Sequence, residues 1–244
     1  MKLKLLIRTK FKDFYLFLRS QPHRGRNVYC PICGFRASKF GSSPNGLREN
    51  VKCPRCSSLE RHRAQWLFGL SKAVHSIKSK NLRILHFSPE FCFSRVLLSS
   101  SYFTAEHSKN SCSDYIIDIQ YTGLPDSSFD IIICNHILEH VEDDRRAIRE
   151  LYRLLKPEGV AFIQVPMDVE LKKTIEDPSV TDPNDRERLF GQPDHLRMYG
   201  SDFPERLSDN GFKVDSVFFW ESMDPLEIAR LSLYEKEPVY ICKK

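Results

Sequence analysis

Short runs of β-branched and aromatic residues alternate with longer helical patterns from Leu82 to the end of the chain. This alternation is typical of a parallel sheet covered by helices. Two further β-like runs, 212–220 and 238–242, predict an antiparallel pair at the end of the sheet. We therefore expect an α/β fold with a doubly wound, mostly parallel sheet and an antiparallel C-terminal strand. The other predicted strands are 82–87, 102–106, 115–118, 130–135 and 160–165.

The clearest helical pattern is EDDRRAIRELYRLLKPEG, which begins at Glu142. It places Ile148, Leu151 and Leu155 on one face, and Asp143 or Asp144 can cap its start. Residues 59–75 and 201–210 predict two further helices, and Ser58 is a candidate N-cap for the first of them.

Residues 2–19 interleave apolar and basic side chains, which predicts an amphipathic helix. Residues 21–26 contain Pro, Gly and charge and are predicted to be a linker. We favour packing of this helix on the main domain. Attachment to a membrane surface through its apolar and basic groups is the alternative. The predicted apolar side consists of Leu3, Leu6, Ile7, Phe14 and Leu18.

The composition is that of a globular protein, with 41% hydrophobic and 28% charged residues among 244. This length can bury one sizeable core and a small satellite module. Charged residues interrupt every apolar stretch, so we expect no membrane span and no secretion signal. We expect a cytoplasmic protein, with peripheral attachment to the inner membrane surface as an alternative. The predicted domains are a basic segment and linker (1–26), a zinc ribbon (27–63) and a larger domain (64–244).

The positive charge is concentrated in the N-terminal quarter. Residues 1–63 carry fifteen Lys and Arg against three acids, a net +12, whereas the remainder carries 22 against 29, a net −7. Such a basic region attracts anionic partners. RNA, a phosphorylated glycan and an anionic membrane surface all remain open as partners of residues 1–63.

Four of the eight cysteines form two Cys-x-x-Cys pairs separated by nineteen residues. This spacing lets two turns face each other and present four thiolates tetrahedrally to Zn²⁺. Four thiolates leave no open position for water, so the predicted zinc is structural rather than catalytic. The predicted ligands are Cys30, Cys33, Cys53 and Cys56.

Two segments carry a resemblance to a known family. Leu124 to Asp130 (LPDSSFD) is followed by IIICNHILEHV, and the sequence LYRLLKPEG begins at Leu151. In this order they resemble the class I S-adenosylmethionine-dependent methyltransferases, in particular the methyltransferase type 11 group. The resemblance implies a Rossmann-like sheet that binds S-adenosylmethionine over the carboxyl ends of its strands.

The resemblance also implies cofactor-binding residues. Glu106 ends the second strand and is expected to bind the ribose, while Asp118 and the backbone of Ile119 are expected to bind the adenine. After the first strand the family has an acid followed by alternating glycines, whereas the matching stretch here, 86–92, contains no glycine; Phe87, Ser88 and Glu90 in it are expected to contact the cofactor. Ser88 is small enough to replace a glycine, and we expect Glu90 to meet the cofactor ammonium group. Cofactor contact is also expected at Asn135, where the fourth strand ends.

Methyl transfer requires alignment of acceptor, methyl carbon and sulfur, and a base where the acceptor carries a proton. His136 leaves the fourth strand beside the expected reaction centre and is the candidate base. Residues 190–200 are rich in polar and turn residues, which is typical of an active-site lid. Within them, Asp194 and His195 are candidates for an acid–base pair, and a structural turn held by local hydrogen bonds is an equal alternative.

The leading hypothesis is methyl transfer to an oxygen or nitrogen nucleophile of a small molecule or glycan. The first alternative is RNA methylation, for which the basic zinc ribbon would bind RNA. The second is a non-catalytic zinc-binding module whose methyltransferase fold has lost its cofactor, which the glycine-free loop allows.

Overall fold

A computed structural model describes residues 2–44, 46–76, 82–98, 101–108, 112–234 and 236–244. The chain forms one seven-stranded sheet and two short two-stranded sheets. The strands, in chain order, are β1 (Arg24–Tyr29), β2 (Arg36–Ala37), β3 (Ile84–Phe87), β4 (Tyr102–Glu106), β5 (Tyr115–Ile116), β6 (Phe129–Asn135), β7 (Leu155–Gln164), β8 (Ile175–Glu176), β9 (Arg197–Met198), β10 (Lys213–Val217) and β11 (Val239–Lys243).

The helices flank the large sheet and also include an N-terminal helix. A π-helical turn at Trp66–Leu70 joins the second helix to the third, which makes one nearly continuous helical segment. The helices are α1 (Lys2–Ser20), α2 (Glu60–Gln65), α3 (Ser71–Ser76), α4 (Phe91–Leu97), α5 (Asp144–Leu154), α6 (Pro183–Phe190), α7 (Phe203–Ser208) and α8 (Pro225–Leu231).

The large sheet has the order β10-β11-β7-β6-β3-β4-β5. The pairs from β7 to β5 are all parallel, whereas β11 pairs antiparallel with both β7 and β10. Counted along the chain from β3, the order is 3-2-1-4-5-7-6, which matches the Rossmann order apart from the inserted antiparallel strand. The predicted mostly parallel α/β sheet is therefore confirmed. Its topological switch point lies between β3 and β6, where ligands bind in such sheets.

The predicted elements are largely confirmed, with shifted ends. Strand β6 begins at Phe129, while β7 begins at Leu155, directly after α5, instead of at Val160. Asp143 caps α5 by accepting a hydrogen bond from the Arg146 backbone N–H at 2.8 Å. The prediction that Ser58 caps α2 is wrong, because Leu59 occupies the cap position and the Ser58 hydroxyl instead lies 3.3 Å from the sulfurs of Cys30 and Cys56.

Alternate residues of β6 point to opposite faces of the sheet, and both faces are covered. Ile132 and Cys134 pack in a core with α5 and α7. Ile131 and Ile133 pack in a second core that also contains apolar residues of the cysteine segment, among them Phe40. The cysteine segment, residues 27–63, thus buries its apolar side against the large sheet.

Arg63 joins the cysteine segment to the C-terminal part of the chain. Its side chain is fully buried, and its guanidinium lies 4.7 Å from the Phe40 ring centre. It donates hydrogen bonds to the carbonyls of Val51 and Ser58 on one side, and of Leu231 and Ser232 on the other. A planar donor fork of this kind satisfies several buried carbonyls at once.

The N-terminal helix α1 lies largely in solvent. Among the described apolar side chains of its predicted apolar side, Ile7, Phe14 and Leu18 are exposed; the side chain of Leu3 lies outside the described residues. Asp13 ties the helix to the rest of the protein through a two-point contact with Arg55, at 2.6 and 2.9 Å, and a further bond from Arg95. The helix thus contacts the main domain, as favoured, at α4, but through Asp13 and Lys12 rather than through these apolar side chains.

The predicted linker, 21–26, also differs in the structure. Gln21–His23 form a 3-10 turn and Arg24 begins β1, because Gly25 packs closely against the Ser38 backbone. None of the described helices is long and apolar enough to cross a membrane.

Candidate functional site

A cavity of about 630 Å³ opens at the carboxyl ends of β3, β4, β5 and β6. Its volume lies within the range of small-molecule sites. We name it the strand-end cavity. It is lined by Phe87, Ser88, Ala105, Glu106, His107, Ile117, Asp118, Ile119, Gln120, His136, Ile137, His140, Val141, Glu142 and Asp194.

The two predicted strand-end acids both lie in this cavity. Glu106 is the last residue of β4, and Asp118 follows β5 by two residues. The Asp118 carboxylate accepts hydrogen bonds from the Gln120 backbone N–H at 2.8 Å and from the Gln120 side chain. Ile119 is buried in the core below the cavity. The sheet thus brings together Phe87, Ser88, Glu106, Asp118 and Ile119, which span 32 positions from Phe87 to Ile119.

The loop after β3 adopts a glycine-like conformation without a glycine. Ser88 has φ of +45°, in the left-handed region that non-glycine residues rarely adopt. Its backbone N–H is held by the Ala105 carbonyl at 2.9 Å. Ser88 therefore takes a backbone conformation that ordinarily favours glycine.

Glu90 and Asn135, two predicted cofactor-binding residues, do not line the strand-end cavity. The Glu90 carboxylate bonds to His86 Nε2, lies 3.4 Å from His62 Nε2 and accepts from Asn135 Nδ2 at 3.1 Å. Asn135 also exchanges two amide hydrogen bonds with Gln65 of α2. Burial opposes ionisation, but the neighbouring His86 and His62 hold the pKa of Glu90 well below its usual value. Glu90 is thus an internal anion that fastens the loop to α2.

A second cavity, of about 750 Å³, lies where the cysteine segment meets the larger domain. We name it the seam cavity. His136 and His140 line both cavities, so the two are adjacent at these side chains. Its remaining lining residues are Ser43, Pro44, Leu47, Arg48, Leu59, Arg61, Glu139, Pro166, Met167, Glu187, Gly191, Gln192, His195, Tyr234, Lys236 and Glu237.

His136, the candidate base, lies where the cavities meet. It follows β6 with φ of +53°, which turns its side chain away from the strand direction. Its Nδ1 lies 3.5 Å from Glu139 and its Nε2 lies 3.8 Å from Glu237. Burial lowers the pKa of His136, but these two carboxylates outweigh it and raise the pKa above its ordinary value.

The predicted Asp194–His195 pair is not formed. The Nδ1 atom of His195 is hydrogen-bonded to the Phe190 carbonyl at 2.8 Å, and the Asp194 carboxylate lies 3.2 Å from His140 instead. Adjacent residues point apart in an extended turn, and His195 is buried while Asp194 is exposed. The predicted lid does line the seam cavity, through Gly191, Gln192 and His195.

The four predicted zinc ligands converge. Their sulfur atoms lie within 4.8 Å of one another, with 3.6 Å between Cys30 and Cys56 and 3.7 Å between Cys33 and Cys53. A tetrahedron with Zn–S bonds of ~2.3 Å has edges of ~3.8 Å. The geometry and the donor set therefore fit a Zn²⁺ ion.

Several lining residues escaped sequence-based prediction. Arg61 and Glu237 are separated by most of the chain and meet only because α2 and β11 pack together. Glu139 and His140 come shortly after the fourth predicted strand. Their closeness in sequence to His136 could have indicated that they line the same site. Nothing in the sequence indicates that Tyr234, Lys236 and Glu237 line the seam cavity.

The fold and the strand-end cavity define a Rossmann-like α/β protein with a ligand site at its switch point. Residues 98–163 match the family model of a methyltransferase domain. The matched residues include β4, β5 and β6 and end within β7.

The chain is similar to an arsenite methyltransferase of Aquipseudomonas alcaligenes, with 33% identity over 122 residues. The match covers 50% of this chain but only 32% of the relative. Solved structures of S-adenosylmethionine-dependent methyltransferases are also similar. One, from Mesorhizobium loti, has 16% identity and a TM-score of 0.45, covering 73% of this chain and all of that one. Another, from Archaeoglobus fulgidus, has 14% identity and a TM-score of 0.44, covering 71% and 92%.

Proposed function

We propose that the protein is an S-adenosylmethionine-dependent methyltransferase that acts on an oxygen or nitrogen nucleophile of a small molecule or glycan. The observation that carries the proposal is that His136 and His140 line both the strand-end cavity and the seam cavity. Two ligands that meet at this point are held close together, which is what a group transfer between them requires.

The residues of the strand-end cavity fit the cofactor. Ser88 supplies the tight turn of a glycine, and the Glu106 carboxylate lies where an acceptor for ribose hydroxyls is needed. When bound, S-adenosylmethionine supplies a methyl group on a positively charged sulfur. Beyond binding, the chain has to orient the acceptor, exclude water and receive a proton, for which His136 remains the candidate.

The seam cavity favours a polar acceptor, because charged and polar side chains line most of it. The Nε atom of Arg61 is buried there without a hydrogen-bond partner within the described chain. Since a buried donor of this kind requires an acceptor, we propose that Arg61 binds an anionic group of the substrate, such as a phosphate. None of the described residues that line this cavity is a cysteine. Soft thiophilic arsenite is therefore not the acceptor we propose.

Calorimetry with S-adenosylmethionine and with its demethylated product tests the cofactor proposal. We expect micromolar binding of both, and a loss of at least about tenfold in Glu106→Ala, because a hydrogen-bonded carboxylate is removed. Glu205→Ala, an exposed acid on α7, is the matched control and should bind normally. No binding of either ligand at millimolar concentration would contradict the proposal and favour the non-catalytic alternative.

We further propose that the cysteine tetrad binds one structural Zn²⁺. Four thiolates complete the coordination, so the ion would hold the segment that forms one wall of the seam cavity. Metal analysis of the purified protein should find zinc that disappears when the tetrad is mutated.

A separate observation favours attachment of α1 to an anionic membrane surface. Ile7, Phe11, Phe14 and Leu18 are exposed, and their spacing places them on one helical stripe. Phe11 is 74% and Phe14 62% exposed. Apart from Asp13, which pairs with Arg55 and Arg95, the described charged side chains of α1 are basic. An apolar stripe flanked by cations fits the interface of an anionic bilayer.

Vesicle sedimentation tests this attachment. The protein should bind vesicles that contain phosphatidylglycerol but not vesicles of phosphatidylcholine alone. Phe11→Ser combined with Phe14→Ser should abolish binding, whereas Leu226→Ser, which alters a residue 78% exposed on α8, should not. Equal binding by all three proteins would refute the proposal. Salt-sensitive binding to RNA without vesicle binding would favour RNA as the partner.

A further inference from the structure

Three metal-binding side chains converge on the wall of the seam cavity, apart from the cysteine tetrad. One ligand atom from each of Glu139, His140 and His195 lies within 4.8 Å of the others. Glu139 is 1% and His195 2% exposed. His140 is more open, and it lines both cavities. The cluster therefore lies beside the point where the two proposed ligands meet.

The Glu139 carboxylate has an ionic neighbour in His136, but no hydrogen bond from the described residues. Both of its oxygens are buried without a hydrogen bond from any described residue. The nearest nitrogens are His136 Nδ1 at 3.5 Å and His140 Nε2 at 3.9 Å. Because an unsatisfied buried carboxylate is costly, its retention points to a ligand that is a cation.

Local contacts orient both histidines for metal binding. The Nδ1–H of His195 donates to the Phe190 carbonyl at 2.8 Å, which leaves its Nε2 lone pair free. Nδ1 of His140 lies 3.2 Å from the Asp194 carboxylate, which leaves its Nε2 on the side of Glu139. Metal-binding histidines are oriented in this way by partners on their other ring nitrogen.

The lid segment is also fixed to this cluster. The Leu196 backbone N–H donates to the Glu139 carbonyl at 2.8 Å, and the rings of His140 and His195 lie with their centres 4.8 Å apart. These contacts hold the two histidine rings together, although 54 residues lie between them in the sequence.

We propose that Glu139, His140 and His195 bind one divalent transition-metal cation in the seam cavity. Two imidazoles and one carboxylate form a donor set that suits such ions and leaves coordination positions open. An acceptor oxygen in the seam cavity would occupy an open position and be oriented towards the strand-end cavity. This role rests on the proposed function.

Mn²⁺ is the probe that tests the site, since it prefers nitrogen and oxygen ligands to the four thiolates of the tetrad. Titration of metal-depleted protein, followed by electron paramagnetic resonance, should show one bound Mn²⁺ in the wild type. Glu139→Gln keeps the shape of the side chain but removes its charge, and should weaken binding by more than about tenfold. His140→Gln alters a more exposed ligand and should do the same. His75→Gln, an exposed histidine on α3, is the control and should bind as the wild type does.

Cofactor calorimetry on the same proteins separates this proposal from the methyltransferase proposal. Glu139 does not line the strand-end cavity, so Glu139→Gln should bind S-adenosylmethionine normally. Cofactor binding without Mn²⁺ binding, or equal Mn²⁺ affinity in the wild type and both variants, would overturn the cation site alone. Mn²⁺ binding that both variants lose, in a protein that binds no cofactor, would support the cation site and overturn the methyltransferase proposal.

Discussion

The strand-end cavity and the seam cavity meet at His136 and His140, yet they are built in different ways. The strand-end cavity comes from the ends of four adjacent strands of one sheet. The seam cavity requires the cysteine segment, the end of β6, the lid and the residues before β11 to pack together.

Because of this difference, the strand-end cavity is of a kind that many proteins have, whereas the seam cavity is specific to this chain. A cavity at the switch point follows from the topology of the sheet, so many α/β proteins share it. The seam cavity depends on how this chain attaches a cysteine segment to its sheet. The first cavity is therefore expected to bind the cofactor and the second to select the acceptor.

The largest expected effect comes from breaking the tetrad that supports the seam cavity. Cys53→Ser removes one of four converging thiolates, and should lower the free energy of unfolding by more than about 4 kcal/mol because a structural metal is lost. Thermal unfolding and zinc content measure the change. Cys112→Ser, outside the tetrad, is the control. Unchanged stability in Cys53→Ser would show that the tetrad does not hold a structural ion.

Arg63 tests the join between the cysteine segment and the C-terminal region. Arg63→Lys cannot reach four carbonyls with one ammonium group, so we expect a loss of about 3 kcal/mol in the free energy of unfolding. Chemical denaturation measures it, with the exposed Arg26→Lys as the control. A loss equal to that of the control would mean that Arg63 does not stabilise the seam.

Glu150 supports the segment that follows Asp118 in the strand-end cavity. It accepts from the Thr122 hydroxyl at 2.8 Å, and its hydrogen bond with Arg153 lowers its pKa from 4.5 to about 2. Because folding lowers this pKa, the ionised carboxylate stabilises the fold at pH values above 4.5. This stabilisation is lost as the pH falls from 4.5 towards 2. Glu150→Gln should therefore cost about 1 kcal/mol at neutral pH. Denaturation at several pH values should show the difference from wild type shrinking below pH 4.5, and a constant difference would contradict the assignment.

The smallest effect is expected at Ser88, in the loop of the strand-end cavity. Ser88→Gly removes left-handed strain but adds chain entropy to the unfolded state, so we expect a gain of about 0.5 kcal/mol. Ser88→Val, with a branched side chain at the same φ, should lose about 1 kcal/mol. Denaturation of the pair measures both. A loss of stability in Ser88→Gly would show that the side chain, and not the backbone conformation, determines this position.

Residues placed by strand order could be predicted from the sequence, whereas residues placed by the packing of distant segments could not. Glu106 and Asp118 were predictable because strand order alone places them at one edge of the sheet. The positions of Glu90 and Asn135 were not, because their contacts with His62 and Gln65 depend on the packing of α2 against the loop. Packing of α1 on the main domain was predicted, but the side of the helix that makes the contact was not, because an amphipathic pattern does not reveal whether the protein itself covers its apolar side.

A crystal structure with S-adenosylhomocysteine, the demethylated cofactor, would test directly whether the strand-end cavity binds the cofactor and the seam cavity the acceptor. We expect the ribose to lie beside Glu106 in the strand-end cavity and the sulfur to point towards His136 and His140, with the seam cavity left open for an acceptor. A ligand bound in the seam cavity, or a sulfur directed away from these two histidines, would contradict this division between the cavities.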